Sequence, residues 1–274
     1  MTGPSPRPWT RADAAAHLRI PRASDDKYSR GVLGILTGSE NFPGAAVLGV
    51  EAALRTGLGM VRYLGPAAAR EYVLARRPEA VPADGRVQAL LVGSGMTPAD
   101  MTPLVRARVA AAAAEGIPLI LDAGALELAR ELPGAALILT PHAGEAARLL
   151  DGEADATQIA ADPVRWGTVL SERLAATILL KGARSTVLTP GRTPIRLPIA
   201  SPWLASAGTG DVLAGILGAL VAGAGPAPTP RRLGALAATA SLLHALAAES
   251  LAGPVVALDL AAAVSPVVAG LLPD

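Results

Sequence analysis

Gly208-Thr209-Gly210-Asp211 runs without a break into the apolar helical pattern VLAGILGALVAG, and no stretch of this chain is better suited to chemistry. Its two glycines leave no side chain between a ligand and the backbone. Amides at the helix start are then free to point at an anion, where the macrodipole also favours negative charge. A carboxylate in that place repels a phosphate unless it is aimed elsewhere, for instance at a hydroxyl whose proton it takes. The same four residues also suit a tight helix entry with Asp as the N-cap, and the motif alone leaves both readings open.

Other chemistry-bearing residues lie where apolar runs end. Lys181-Gly182 closes the run ATILL, and an ammonium there needs a charge partner, a phosphate or a route to solvent. His142 and Glu145 stand three apart after Leu137–Leu139, so they share a helix-entry face; Glu145 also suits the first turn of a helix, and His142 a satisfied loop. Asp122-Ala123-Gly124 follows Ile117–Leu121 with the same ambiguity between a cap and an acting group. Taken together, these loops suggest transfer of a phosphoryl group onto a hydroxyl held near Asp211.

Placing them requires a parallel sheet. Gly31–Leu36, Met60–Leu64, Val87–Val92, Ile117–Leu121 and Leu137–Leu139 read as short apolar strands. Between them lie helical patterns around Ala45–Arg55, Glu71–Arg77, Pro103–Glu115 and Leu126–Glu131, with a further helix at Ala146–Leu150. That alternation predicts an α/β fold whose central sheet is mostly parallel and flanked by helices. Chain direction puts the chemistry-bearing loops on one carboxyl edge, where open α/β sheets bind ligands. The first unit lacks the G-x-G-x-x-G spacing of a dinucleotide fingerprint. Asp151–Asp162 reads as a polar surface loop and helix entry, and Val164–Leu174 as a helix. ATILLKG, STVLTPG and RTPIRLPIA predict an antiparallel meander at the sheet edge, near residues 177–199. Helices follow at Asp211–Ala222, Pro230–Glu249 and Leu258–Leu272.

The 274 residues, 51% hydrophobic and 17% charged, suit one large domain with a substantial core at 31–274, after an extended proline-rich leader at 1–30. With a formal net charge of +1 and no long basic run, the chain suits a small-molecule substrate rather than nucleic acid. Zero cysteines exclude disulfides and thiolate metal sites, and three histidines argue against a His-rich zinc site. Prolines and arginines in the first 22 residues oppose a secretory signal, so the expected compartment is cytoplasmic. The uncharged run Val212–Pro230 reads as a buried helix plus the loop GAGPAPTP, not a membrane span.

The ordered motifs GSENFPGAAVLGVEAALRTGLGMV, VGSGM, LDAGAL, TPHAGE, LLKGARSTV and ASAGTGDVLAGIL, over Gly31 to about Ala222, resemble the ADP-dependent NAD(P)H-hydrate dehydratases. These belong to the ribokinase-like superfamily, which implies a three-layer sandwich. The resemblance implies dehydration of (S)-NAD(P)H hydrate to NAD(P)H at the expense of ADP, with Mg2+ accompanying the nucleotide and release of AMP and phosphate. It makes Asp211 the base, with the amides of Ala207 to Gly210, including Gly208, as an anion hole. Ala45, Gly95 and His142 match substrate-contacting positions. Lys181, Gly182, Ala183, Arg184, Ser185 and Gly210 match nucleotide-holding ones, and Glu145 matches an acid associated with the metal through water. Ser185 stands where the family usually has Thr, with Thr186 next, so either hydroxyl is a candidate for the phosphate. Trp203 precedes the glycine turn and is expected either to lie against a ring of the substrate or to pack, with packing favoured. Relatives are often tetramers, which makes a homo-oligomer an expectation. Two rivals stand beside this reading: a ribokinase-like ATP-dependent kinase of a small alcohol such as hydroxyethylthiazole, which would share the Gly-Thr-Gly-Asp turn and the fold but against which PHAGE and GAAVLGVEAALRTG speak, and a nucleotide-binding regulator without catalysis.

Overall fold

Strands buried on both faces must be apolar at every position, because successive side chains point to opposite sides and each side needs a cover. A computed structural model, describing residues 5–225 and 228–272, shows this partition residue by residue. Leu33, Ile35, Leu91, Ile120, Ile138 and Leu179 enter one core. Their neighbours Leu36, Leu90, Val92, Leu119, Leu121, Leu139, Ile178 and Leu180 enter the other.

The chain begins β1 (Arg7–Pro8), α1 (Arg11–Ala15), β2 (Val32–Leu36), α2 (Pro43–Arg55), β3 (Met60–Tyr63), α3 (Ala67–Arg76) and β4 (Ala89–Val92). It continues α4 (Pro103–Ala114), β5 (Leu119–Leu121), β6 (Leu137–Leu139), α5 (Ala143–Leu149), α6 (Ala156–Ala161), α7 (Pro163–Leu174) and β7 (Thr177–Leu180). Last come β8 (Thr186–Leu188), β9 (Ile195–Arg196), α8 (Thr209–Gly223), α9 (Pro230–Ser250) and α10 (Ala257–Ala269). The nine strands form one sheet in the order β1-β9-β8-β7-β6-β5-β4-β2-β3. Strands β2 to β7 pair in parallel, while β7–β8 and β8–β9 are antiparallel, as the meander predicts. Helices α2, α8, α9 and α10 cover one face; α4, α5 and α7 cover the other. The sheet is thus the middle of three layers.

Four local expectations change. The leader is not simply extended: Arg7 and Pro8 pair in parallel with Ile195 and Arg196, so β1 forms the sheet's outer edge. Thr10 then starts α1 with a capping box to Asp13, and Trp9 is buried against the core. The run Leu126–Glu131 belongs to a longer 3-10 stretch, Ala123–Glu131. Helix α5 starts at Ala143 rather than Ala146 because His142 caps it. Within the polar segment 151–162, an Asp155–Gln158 capping box opens the short helix α6.

Helix α9 has the length and apolarity of a membrane span, but 89% of its apolar window is buried inside the protein. The predicted helix at Asp211–Ala222 is α8, while residues 226–227 of the loop after it lie outside the described residues. Helices α2 and α8 approach so closely that a Cβ on Gly215 would sit 2.3 Å from the Gly49 carbonyl oxygen. That contact fixes the first turn of α8 over the carboxyl edge.

Candidate active site

Asp122 emerges from β5, His142 follows β6, Lys181 follows β7, and these neighbouring parallel strands deliver their loops side by side. A parallel bridge between His142 and Lys181 extends the β6–β7 pairing into the loops. Asp122 is 4% exposed, so its charge must be paid for locally. Its Oδ1 accepts from Lys181 Nζ at 2.9 Å and Thr140 Oγ1 at 2.7 Å, and its Oδ2 accepts from Ser94 Oγ at 2.9 Å. Burial pushes the Asp122 carboxyl up, but the Lys181 ammonium and the three donors outweigh it and hold the group below its ordinary value. Lys181 responds in kind: burial lowers it, while Asp122, Glu145 and Asp211 raise it further.

Glu145 lies 3.8 Å from Lys181 through Oε2, the same oxygen that accepts the His142 N–H at 2.8 Å. In return, His142 Nδ1 accepts from the amides of Gly144 and Glu145 at 3.0 and 3.2 Å. The pair therefore forms a reciprocal cap on α5, with the Glu145 carboxylate beside Lys181.

Asp211 is different. It occupies the third position of α8, but the N-cap is Gly208, and Asp211 makes no capping bond. Among the described residues its carboxylate has no hydrogen-bond or ion-pair partner. Burial first, and then the Asp122 charge, push its carboxyl up to about 7 against the pull of Lys181. Gly208 makes the turn at φ +87°, and a Cβ there would lie 2.6 Å from Leu48 Cδ1. Gly210 would place a Cβ 4.0 Å from Lys181 Nζ, so the lysine and the glycine turn adjoin. The amides of Gly208, Gly210 and Asp211 make no hydrogen bond among the described residues, leaving an anion seat at the helix start.

A histidine that sequence reasoning passed over supports this turn. His244, buried on α9, places Nε2 2.9 Å from the Thr209 carbonyl oxygen. Burial pushes its imidazole down to about 4. The ring is therefore neutral near pH 7, and Nε2 carries the proton it donates. Thr209 Oγ1 also lies 2.8 and 2.9 Å from the carbonyl oxygens of Leu204 and Ser206, tying the turn from its other side.

The remaining predicted residues divide. Ala45 and Gly95 meet, for a Cβ on Gly95 would lie 2.3 Å from Ala45 Cβ, at a backbone φ of +65°. Ala45 is buried, and the exposed Phe42, which the sequence did not single out, stands beside them. Gly182, Ala183 and Arg184 form an exposed loop between β7 and β8. Ser185 is half-buried at its end, whereas Thr186 is enclosed in β8, so Ser185 offers the accessible hydroxyl. Of the two alternatives for Trp203, packing does not hold: it is 53% exposed on the 3-10 turn Pro202–Leu204 ahead of the glycines.

No cluster of three metal-ligating side chains occurs among the described residues. A magnesium ion carried by phosphates needs less, since it commonly takes one or two carboxylates and completes its shell with phosphate oxygens and water. Glu145 fits that demand: its protein contacts all use Oε2, leaving Oε1 for a further ligand.

Comparison with known proteins shows the family to which the chain belongs. A family model described as NAD(P)H-hydrate dehydratase matches residues 33–265. The bifunctional NAD(P)H-hydrate repair enzyme Nnr of Mycobacterium tuberculosis strain H37Rv is 39% identical over 77% of this chain and 45% of its own length. The chain therefore spans about half the length of such bifunctional relatives. The ADP-dependent (S)-NAD(P)H-hydrate dehydratase of Xanthomonas campestris is 31% identical, covering 81% of this chain and 82% of that protein. Among solved structures, the ADP/ATP-dependent NAD(P)H-hydrate dehydratase of Bacillus subtilis, co-crystallized with ATP/Mg2+, superposes with a TM-score of 0.85 at 26% identity. That match covers 98% of this chain and 100% of the other. A hydroxyethylthiazole kinase from Pyrococcus horikoshii shares the fold at a TM-score of 0.60 and 18% identity over 96% and 94% of the two chains. The fold is ribokinase-like, and the chain belongs to the NAD(P)H-hydrate dehydratase family.

Proposed function

We propose that this chain dehydrates (S)-NAD(P)H hydrate to NAD(P)H with ADP as co-substrate, releasing AMP and phosphate. The observation that carries the reading is the Asp211 carboxylate: among the described residues it caps nothing and pairs with nothing, and it stands with a carboxyl near neutrality beside the open amides of a helix start. A carboxyl poised there exists partly as a base at working pH, and the amides next to it favour negative charge in flight.

In the proposed reaction Asp211 takes the proton of the substrate's ring hydroxyl while that oxygen attacks the β-phosphorus of ADP. The bond from the β-phosphorus to the bridging oxygen breaks, and its electron pair leaves with AMP. Hydroxide has become phosphate, a far better leaving group, which departs with the carbon–oxygen bonding pair as the ring nitrogen donates electrons. Loss of a neighbouring ring proton restores the dihydropyridine. The amides of Gly208 and Gly210 receive the migrating phosphoryl group. Lys181 is held beside them by Asp122 and Glu145. The loop Lys181-Gly182-Ala183-Arg184-Ser185 takes the AMP portion, and Ala45, Gly95 and His142 bound the dinucleotide. Mg2+, when bound with the nucleotide, neutralises phosphate charge, and Glu145 is the residue proposed to meet it.

Lack of cysteine fits a reducing, cytoplasmic setting, and the names of the relatives above support the substrate pair. Incubation of the protein with hydrated NADH and ADP should regenerate NADH absorbance with stoichiometric AMP. Turnover of hydroxyethylthiazole with ATP, in place of that signal, would replace this reading by the kinase.

A further inference from the structure

The opposite edge of the sheet holds a cavity of about 730 Å3, far from the loops just described. It is bounded by the leader after α1, the turn before β3, the last turn of α8 and the first turn of α9. Arg19, Arg22, Arg30 and Arg232 line it, together with His17. Among the described residues Arg19 alone of the four has a carboxylate partner, Asp25 at 2.8 Å. Arg30 gives one nitrogen to the Gly57 carbonyl oxygen, and its Nε is buried without a partner.

The start of α9 makes the imbalance sharper. Arg231 and Arg232 stand in its first turn and no acid accompanies them, the wrong sign for the positive end of a 21-residue helix. Burial, and then Arg232, hold the nearby His17 below its ordinary value against the opposing pull of Asp13. Asp25, which pairs with Arg19, also accepts the Arg22 amide and feels its charge, yet the guanidinium groups around this concavity outnumber that one acid; they repel one another and match the geometry of phosphate oxygens. Leu58, Leu220 and Val268 give the cavity an apolar side, and its volume is that of a small-molecule site.

We propose that this cavity binds a phosphate-bearing small molecule, with Arg22, Arg30 and Arg232 holding its anion and the apolar side taking its organic body. Nothing in the proposal depends on the dehydratase chemistry, so it stands or falls separately.

Calorimetric titration of the full chain with inorganic pyrophosphate, at fixed ionic strength, tests it. The expected result is saturable binding that weakens at least tenfold in Arg22→Ala/Arg232→Ala and is retained in Asp211→Asn. Both arginines are exposed, so the double variant should melt like the parent; Arg22→Gln/Arg232→Gln repeats the test with side-chain length kept. Absence of binding at millimolar pyrophosphate, equal binding of sulfate, or unchanged affinity in both double variants would overturn the proposal. So would an affinity that shifts in Asp211→Asn but not in the cavity variants, since that places the anion at the catalytic edge.

Discussion

Two groups of buried acids in this molecule are built to opposite ratios. On α2, Glu51 is fully buried and meets three cations: Arg55 at 3.1 Å, Arg76 at 3.4 Å, and Arg77 in a close two-pronged contact. At the carboxyl edge, one cation, Lys181, serves Asp122 directly, Glu145 at 3.8 Å, and Asp211 by field alone. Burial works to raise Glu51, but the arginines overcome it and hold the carboxyl below its ordinary value. Asp211 ends on the other side, at about 7. An excess of cations makes an inert brace between α2 and the end of α3. A shortage leaves one carboxylate unsatisfied, and that one faces the helix start where an anion would bind. The charge ratio thus separates a structural acid from the one proposed to react, with no reference to any ligand.

Removing the unsatisfied acid is the most severe way to break the contrast. Asp211→Asn should lower turnover of hydrated NADH about 10³-fold, within the usual range for a lost general base, while ADP affinity by calorimetry stays within about threefold. Turnover near the parent level would remove Asp211 from the base role. Glu51→Gln should do the reverse. It leaves three arginines facing an uncharged amide, and the expected cost is about 3 kcal/mol in denaturant unfolding, the low end for a broken buried pair because those arginines reach water. Activity per folded molecule should stay unchanged.

Asp122→Asn sharpens the comparison. It deletes the charge that repels the Asp211 carboxylate and frees Lys181 to attract it, so the Asp211 carboxyl must fall. In the parent, a base near 7 makes kcat/KM rise as pH increases through about 7. In Asp122→Asn that acid limb should move to lower pH, by on the order of one unit if the two acids are coupled as closely as their shared lysine implies. An acid limb that stays in place would show that burial alone sets Asp211.

How much of this was legible in the sequence depends on separation along the chain. The strands were legible because each is a run of apolar residues between turn residues, and their carboxyl ends because chain direction in a parallel sheet fixes them. Strand β1 was not: Arg7 and Pro8 have no strand pattern, and only their partners in β9, almost two hundred residues on, make them one. Of the site, the glycine turn and Asp211 are contiguous and were found. For Lys181 a charge partner, a phosphate and a route to solvent were all open; its partner Asp122 follows the strand two places away in the sheet, so its identity required the strand order. His244 carried no signal at all, since a lone histidine in an alanine-rich helix looks like any satisfied core residue. Trp203 ahead of the turn was singled out but the choice between packing and an outward position was not legible, because hydrophobicity favours packing while its loop faces outward.

His244 and Asp211 also supply the finest test, because their effects on stability have opposite signs. The His244 imidazole falls from an ordinary 6.5 to about 4 on folding, so the unfolded chain binds the proton first, and stability is lost as pH drops from 6.5 toward 4. The Asp211 carboxyl rises from an ordinary 3.8 to about 7, so the folded chain binds the proton first, and stability is gained over nearly the same descent. In the parent the two slopes oppose each other, and unfolding free energy between pH 4.5 and 6.5 should vary weakly on their account. Asp211→Asn removes the gain. It should be more stable than the parent at pH 8, by about 1–3 kcal/mol, in keeping with an acid retained for function at a cost to stability. It should also lose stability more steeply on acidification. His244→Gln keeps a donor for the Thr209 carbonyl but cannot charge, so it should show the opposite slope, gaining stability as pH falls. Parallel slopes in parent and both variants would mean that neither group changes its proton affinity on folding, and the contrast between satisfied and unsatisfied acids would lose its electrostatic basis.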